Sequence, residues 1–169
     1  MANELDRVPQ FYLDPGYIYF SKAPLNLYAV LGSCVAVCIW DENLKIGGMS
    51  HYLYPKSPSK DKTTSKYGDV AVLSLIKMME KAGAKRESMY AQIVGGAHPP
   101  FLRNNRDSLG DKNVEIAREI LSKKGIRIAS EDTGGTMGRK IVFNTYTGHL
   151  MVLKVYKIRR DDWILEIKD

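Results

Sequence analysis

The stretch LGSCVAVCIWDENLKIGGMSHYLYP, residues 31–55, contains both cysteines of the chain and one of its three histidines. After Cys34, β-branched residues alternate with other residues up to Trp40, a pattern that favours a strand over a helix. Residues 41–44 are typical of a turn, and residues 45–54 form the returning strand. The stretch therefore predicts a β-hairpin, and the pairing of its two strands determines which side chains meet.

The expected pairing brings Cys34 and His51 together. If residues 41–44 close the hairpin, Trp40 lies opposite Lys45 and Cys34 lies opposite His51. Directly opposed residues have Cβ atoms about 5 Å apart, so a thiol and an imidazole can share a hydrogen bond. The imidazole can then hold the thiolate, which is the reactive form of cysteine. We therefore predict a Cys–His nucleophilic site, and the alternative is ordinary packing of both side chains in the core.

Two small residues, Gly32 and Ser33, stand immediately before Cys34. Small residues let a substrate approach the backbone closely. Backbone amides near such a nucleophile can donate hydrogen bonds to an oxyanion. We therefore treat Gly32 and Ser33 as candidate oxyanion or substrate-binding residues.

A redox or metal role for the two cysteines is not favoured by their spacing. Cys38 lies four positions after Cys34 on the expected strand, so their Cα atoms are about 13 Å apart, beyond the reach of a disulfide. Cys-x3-Cys followed by one histidine also lacks a fourth ligand for zinc. We expect no metal, and we expect Cys38 to be a buried small apolar side chain. His98 and His149 have no cysteine nearby in sequence and are interpreted as structural or surface residues.

The composition is that of an ordinary globular protein, with 44% hydrophobic and 26% charged residues in 169. The net charge is +6, but the basic residues are scattered and form no recognisable nucleic-acid-binding module. No apolar run approaches the roughly 18 residues that a membrane span needs, and the first ten residues do not resemble a signal peptide. We therefore expect a cytoplasmic protein with no nucleic-acid partner and no membrane insertion.

The rest of the chain predicts one mixed α/β domain over residues 11–169, after a loose lead-in over residues 1–10. Helical periodicity predicts helices over residues 66–82 and 111–124, the second with Asp111 as its N-cap. A hairpin turn is expected over residues 145–148. Further strands are predicted over residues 17–20, 90–94, 126–130, 141–144, 150–156 and 164–167.

Several segments of the chain resemble the CheD family of bacterial chemotaxis proteins, the chemoreceptor glutamine deamidases. They are LGSCVAVCIWD (31–41), GGMSHYLYP (47–55), KYGDVAV (66–72), IVGGAHPPF (93–101), NVEIAREIL (113–121) and EDTGGTMGRKIVFNTYTG (131–148). The resemblance runs from about residue 11 to residue 156. It implies an α/β sandwich of mixed sheets with two to three helices packed on one face.

The resemblance also implies an activity. Cys34 matches the nucleophile of the family and His51 matches its base, so the resemblance implies a protein-glutamine glutaminase that needs no cofactor. The implied substrates are glutamine side chains on the cytoplasmic helical hairpin of methyl-accepting chemotaxis receptors, which are converted to glutamate with release of ammonia. In some bacteria the family also binds the phosphatase CheC and raises its activity, so CheC is a second expected partner.

The chain departs from the family pattern at the third catalytic position. Family members usually carry a threonine five or six residues before the cysteine, where this chain has Ala29 and Tyr28. A backbone carbonyl of Tyr28 or Ala29 can orient the histidine as a side chain would. The alternative is a non-catalytic adaptor that binds receptor or CheC, and a cysteine peptidase is a further, less favoured reading.

Two glycine-rich segments, residues 94–97 and 131–135, are expected to border the site. We add three of their residues to the candidate oxyanion or substrate-binding residues: Gly95 and Gly96 from the first segment and Thr133 from the second. Tight turns without contact to substrate explain the same glycines equally well.

Overall fold

The structure, a computed structural model, describes residues 7–102 and 108–156. These residues contain nine strands and two α-helices. The strands are β1 (Gln10–Tyr12), β2 (Tyr17–Ser21), β3 (Asn26–Leu31), β4 (Val35–Asp41), β5 (Ile46–Tyr52), β6 (Met89–Gly95), β7 (Arg127–Thr133), β8 (Gly138–Asn144) and β9 (Leu150–Val155). The helices are α1 (Gly68–Lys81) and α2 (Leu109–Lys123). The strand predicted over residues 164–167 and the first six residues of the lead-in lie outside the described residues.

The strands form two sheets. Sheet I has the order β1-β3-β8-β9, and sheet II has the order β2-β5-β4-β6-β7. The apolar run over residues 27–40 is therefore two strands, because the chain leaves sheet I after Leu31 and enters sheet II at Val35. Gly32 and Ser33, the residues before Cys34, therefore lie at the crossing between the sheets.

The core has two layers because β4 is buried on both faces. Val35, Val37 and Ile39 face the two helices, whereas Ala36 and Cys38 face sheet I. The layer between the sheets, which we call the inter-sheet cluster, contains Leu13, Leu25, Leu27, Ala29, Leu31, Ala36, Cys38, Met49, Val94, Ile141 and Phe143. The expected α/β sandwich with helices packed on one face is confirmed, and Cys38 is buried as predicted.

The register of the β4–β5 hairpin differs from the expected one by two residues. Asp41 pairs with Ile46, so the loop comprises residues 42–45 and His51 lies opposite Ala36 rather than Cys34. The Asp41 carboxylate, which is fully buried, accepts hydrogen bonds from two backbone amides of the loop at 3.0 and 2.9 Å and thereby closes the turn. A shift by two residues keeps the same side chains on the same face, so Cys34 and His51 remain on one side of the hairpin.

Helix α2 begins earlier than its sequence pattern predicts. Its N-cap is Ser108, and the expectation that Asp111 caps the helix is wrong. The Ser108 hydroxyl accepts a hydrogen bond from the Asp111 backbone N–H at 3.2 Å and donates one to its carboxylate at 2.8 Å. Asp111 therefore occupies the third helical position of a capping-box arrangement, which an acidic side chain also favours.

Candidate active site

Cys34 ends the short connection that carries the chain from sheet I to sheet II. Its side chain is half-buried and packs against the inter-sheet cluster. Each carbonyl group of the connection accepts a hydrogen bond: that of Gly32 from Ala97 N–H at 2.9 Å, that of Ser33 from the Asn113 side chain at 3.0 Å, and that of Cys34 from Gly96 N–H at 2.9 Å. The backbone that carries the thiol is therefore held at three successive residues, while the thiol itself is not sealed in the core.

Gly95 and Gly96 are required where they stand because they contact this connection. Both have positive φ, and a Cβ on Gly95 would lie 2.3 Å from the carbonyl oxygen of Cys34. A Cβ on Gly96 would lie 2.5 Å from a methyl group of Val114 in α2. The N–H of Gly96 is already donated to the carbonyl of Cys34, so it supports the backbone of this candidate residue and is not available to an oxyanion.

His51 is fully buried and is enclosed by the segment that follows β1. Its Nδ1 lies 2.9 Å from the carbonyl oxygen of Leu13, and its own carbonyl accepts a hydrogen bond from Gly16 N–H at 2.7 Å. The expectation that a backbone carbonyl of Tyr28 or Ala29 orients this ring is wrong. The carbonyl of Tyr28 instead accepts a hydrogen bond from the N–H of Leu13 at 2.8 Å, so Tyr28 holds the backbone of the residue whose carbonyl faces His51.

The hydrogen bond to Leu13 fixes the tautomer of His51. A carbonyl oxygen only accepts hydrogen bonds, so Nδ1 carries the proton in the neutral ring and Nε2 carries the lone pair. Burial lowers the pKa of His51, although the Leu13 carbonyl and the charge of Asp14 oppose this effect. The imidazole is therefore neutral at pH 7 and its Nε2 can act as a base.

The thiol of Cys34 is also neutral in the free protein. Burial raises its pKa to about 11, and a hydrogen bond from its own backbone N–H opposes part of that rise. Burial disfavours the charged form of each group, so it opposes the thiolate that His51 was expected to hold. A neutral thiol and a neutral imidazole suit proton transfer during attack rather than before it.

The remaining candidate residues are Thr133, Ala29 and Tyr28. Thr133 ends β7 beside Gly95 in the parallel pairing, and the next residue, Gly134, donates its N–H to the Gly95 carbonyl at 3.0 Å. Ala29 is buried in the inter-sheet cluster, whereas Tyr28 lies on the other face of β3 and stacks on the ring of Tyr12. The methyl group of Ala29 cannot form a hydrogen bond, and among the described residues the Tyr28 side chain forms none with His51.

Cys38 and the other histidines take no part in this arrangement. Both cysteines are free thiols, and burial raises the pKa of Cys38 well above its ordinary value. His98 hydrogen-bonds to Pro99 through its ring and to Gly135 through its backbone. Among the described residues, no group of three or more His, Cys, Asp or Glu side chains is placed to hold a metal ion.

Comparison with known proteins identifies the family. The family model described as CheD chemotactic sensory transduction matches residues 53–154. A protein of Sulfurimonas denitrificans described as a probable chemoreceptor glutamine deamidase CheD is 40% identical over 147 residues, which are 86% of this chain and 94% of that protein. The chain belongs to the CheD family. A protein of Methanococcus vannielii with the same description is 38% identical over 145 residues, which are 85% of this chain and 94% of that protein.

Membership of the CheD family confirms the resemblance seen in the sequence motifs. Among solved structures, the Bacillus licheniformis hypothetical protein YfiH aligns with a TM-score of 0.42 and 17% identity over 65% of this chain and 49% of that chain, a likeness too low to carry an inference. Within residues 7–102 and 108–156, the structure has no helix long and apolar enough to cross a membrane.

Two residues that support the site were missed by sequence reasoning. Leu13 contributes only a backbone carbonyl, so its residue type gives no signal. Asn113 stands in the motif NVEIAREIL, where an amide on the buried face of an otherwise amphipathic helix is a usable signal, because buried polar side chains are normally hydrogen-bonded.

Proposed function

We propose that this chain is a protein-glutamine glutaminase that deamidates glutamine side chains of methyl-accepting chemotaxis receptors, with Cys34 as nucleophile and His51 as general base. The observation that carries the proposal is the hydrogen bond from His51 Nδ1 to the Leu13 carbonyl, which leaves Nε2 as a base on the face of the hairpin that Cys34 shares. The names of the relatives, probable chemoreceptor glutamine deamidases, support the same reaction.

The register supports contact between the two groups. Cys34 stands two residues before Ala36, the partner of His51. Such diagonal neighbours have Cα atoms about 7–8 Å apart, a separation that side chains bridge directly or through one water. We expect a distance of about 4 Å between Sγ and Nε2, or one bridging water, once a substrate is bound.

Attack begins with the thiol. As the Cys34 sulfur forms a bond to the carboxamide carbon of glutamine, its proton passes to Nε2 of His51 and the carbonyl oxygen becomes an oxyanion. The backbone N–H of Cys34 lies close to the sulfur and is a candidate donor to that oxyanion, and the N–H of Ser33 is a second. The charge of Asp14 and the Leu13 carbonyl favour the imidazolium that forms at this step.

Collapse of the intermediate breaks the carbon–nitrogen bond. His51 returns the proton to the nitrogen, which leaves as ammonia, and a thioester remains on Cys34. Water then attacks the thioester and His51 accepts a proton from the water. The carbon–sulfur bond breaks as His51 passes that proton to the leaving sulfur, and the carboxylic acid that forms loses its remaining proton to solvent or to the released ammonia. The products are the glutamate carboxylate and the restored thiol, so the cycle needs neither a metal nor a redox cofactor.

The proposal includes the partners that the family resemblance implies. The receptor region is the cytoplasmic helical hairpin, which places the enzyme in the cytoplasm. Binding to CheC, with an increase in its phosphatase activity, is the second proposed interaction. Both remain proposals that binding assays with purified proteins can test.

Incubation with cytoplasmic receptor fragments, followed by peptide mass spectrometry, tests the reaction. Deamidation adds about one dalton to a glutamine peptide without shortening it, whereas a peptidase would cleave the fragment. The Cys34→Ala variant is the matched control, because it removes one sulfur atom and leaves the receptor-binding surface in place. If the wild-type protein binds the receptor fragment but the masses of the fragment's glutamine peptides do not change, the enzyme is rejected and a non-catalytic adaptor remains.

A further inference from the structure

The hairpin that carries the two reactive residues opens at the level of Cys34. The β4–β5 ladder ends with the pair of Val35 and Tyr52. The next pair would be Cys34 with Leu53, but this pair lies beyond the ladder, so no β4–β5 strand pairing fixes the separation of the two chains there. The nucleophile therefore stands where sheet pairing has stopped.

Asn113 of α2 spans this opening. Its side-chain Nδ2 donates one hydrogen bond to the Ser33 carbonyl at 3.0 Å and another to the Leu53 carbonyl at 2.8 Å. Ser33 immediately precedes Cys34, and Leu53 follows His51 by two residues. A single amide thus joins the chain of the nucleophile to the chain of the base.

The same turn of α2 is attached to β5 by a second contact. The hydroxyl of Tyr52 donates a hydrogen bond to the backbone carbonyl of Asn113. Both Tyr52 and Asn113 are fully buried. The helix therefore presents the amide from a fixed position, since neither residue can move without repacking its surroundings.

The chemistry of the contact requires an asparagine. Two carbonyl oxygens need two N–H donors from a short side chain, and the NH2 group of asparagine supplies both. Aspartate would place oxygen atoms against the two carbonyls, and leucine would offer no donor. The Oδ1 atom of Asn113 is buried without a hydrogen-bond partner among the described residues. A buried acceptor without a partner is costly, so packing alone does not explain the residue.

We infer that Asn113 is a positioning residue that sets the separation of the Cys34 and His51 chains for the thiol-transfer reaction. The inference rests on the proposed function for its catalytic consequence, although the contact itself does not. Asn113 is not a catalytic residue, because it acts on the substrate only through the backbones of Ser33 and Leu53. Its loss should therefore lower kcat and leave KM unchanged.

The test compares Asn113→Ala and Asn113→Asp with Ile120→Ala, a matched control on the same helix. Ile120 is buried in the helix-facing core and has no hydrogen bond to either chain. We expect both Asn113 variants to lose about 10- to 100-fold in kcat per folded molecule, as for a small misplacement of reacting groups. The Ile120 variant should lower the melting temperature with kcat unchanged.

The Asp variant adds a readout that a purely structural role would not move. A buried carboxyl tends to be protonated, and the protonated form regains one O–H donor. The ratio of Asn113→Asp to wild-type kcat should therefore rise as the pH is lowered from about 8 to about 5.5. A ratio independent of pH, together with wild-type kcat in Asn113→Ala, would overturn the inference, as would an equal loss of kcat in Ile120→Ala.

Alkylation of Cys34 separates this inference from the proposed function. The rate of reaction with iodoacetamide, measured against pH, reports the thiol and its base without any receptor. We expect the profile of Asn113→Ala to shift toward that of His51→Ala, and that of Ile120→Ala to match wild type. If wild type deamidates no receptor fragment, the proposed function fails while this comparison still decides whether Asn113 couples the pair; unchanged profiles would reject the coupling.

Discussion

Substitution of Gly95 by alanine should damage the site more than the stability of the protein alone would indicate. The added Cβ would lie 2.3 Å from the Cys34 carbonyl oxygen, at a residue with φ of 112°. Ordinary carbon–oxygen contacts are about 3.3 Å or longer, so the carbonyl must retreat by roughly 1 Å. The positive φ costs about 1–2 kcal/mol and the overpacking about 1–3 kcal/mol, so we expect a total loss of about 2–5 kcal/mol in the free energy of unfolding.

The displaced carbonyl oxygen belongs to Cys34, the proposed nucleophile. A misplacement of about 1 Å at a reacting group can lower the rate about 100-fold, and we expect a loss of this order in kcat. Gly125→Ala is the matched control, because Gly125 also has positive φ but a Cβ there would meet nothing within 4 Å. It should lose only the backbone part, about 1–2 kcal/mol, and retain wild-type kcat.

Urea titration and receptor-fragment mass spectrometry measure the two effects separately. Turnover is compared at a temperature where each variant is folded, so that the loss of kcat does not simply reflect unfolding. If Gly95→Ala turned over receptor as fast as Gly125→Ala, the view that Gly95 sets the position of the Cys34 backbone would be refuted.

Three further predictions follow from the burial of the cysteines and of His51. Cys34→Ala should abolish deamidation with little change in melting temperature, whereas Cys38→Ala should cost roughly 1 kcal/mol of stability and leave turnover per folded molecule unchanged. Because burial lowers the pKa of His51, the unfolded chain binds its proton more readily, and stability should fall as the pH drops below the ordinary value of 6.5, by at most about 1.4 kcal/mol per pH unit; His51→Gln should remove this slope in urea titrations. Alkylation of Cys34 should accelerate as the pH rises toward its pKa of about 11, with Cys38 unmodified by mass spectrometry.

Much of the fold could be predicted because local residue types determine it. Gly32 and Ser33 interrupt an apolar run, and the structure changes sheets at that point. The hairpin register could not be predicted as securely, since residues 41–44 and residues 42–45 are both plausible loops. The buried Asp41 carboxylate decides between them by accepting the loop amides, and its burial depends on Ser88, which is distant in sequence and donates to it at 2.6 Å.

The residues of the candidate site could likewise be predicted only in part. Cys34 and His51 could be selected as candidates from their side-chain chemistry, and strand alternation keeps them on one face of the hairpin despite the two-residue error in register. Leu13 could not be identified, because a backbone carbonyl leaves no trace in the residue type. Its position also depends on the parallel pairing of β1 with β3 in sheet I, and on the turn at residues 14–16 that carries the chain to β2 in sheet II.

Introducing a threonine in β3 tests whether the Leu13 carbonyl takes the place of the threonine that the family resemblance implies. Ala29 is 3% exposed and faces the inter-sheet cluster, so Ala29→Thr would bury a hydroxyl there. Because His51 Nδ1 is already bonded to Leu13, we expect no gain in kcat and a loss of about 1–3 kcal/mol in the free energy of unfolding. Ala29→Val has nearly the same shape without the hydroxyl and separates added volume from added polarity. A rise in kcat for the threonine variant alone would mean that the carbonyl orients His51 incompletely and that a hydroxyl does what Leu13 does not.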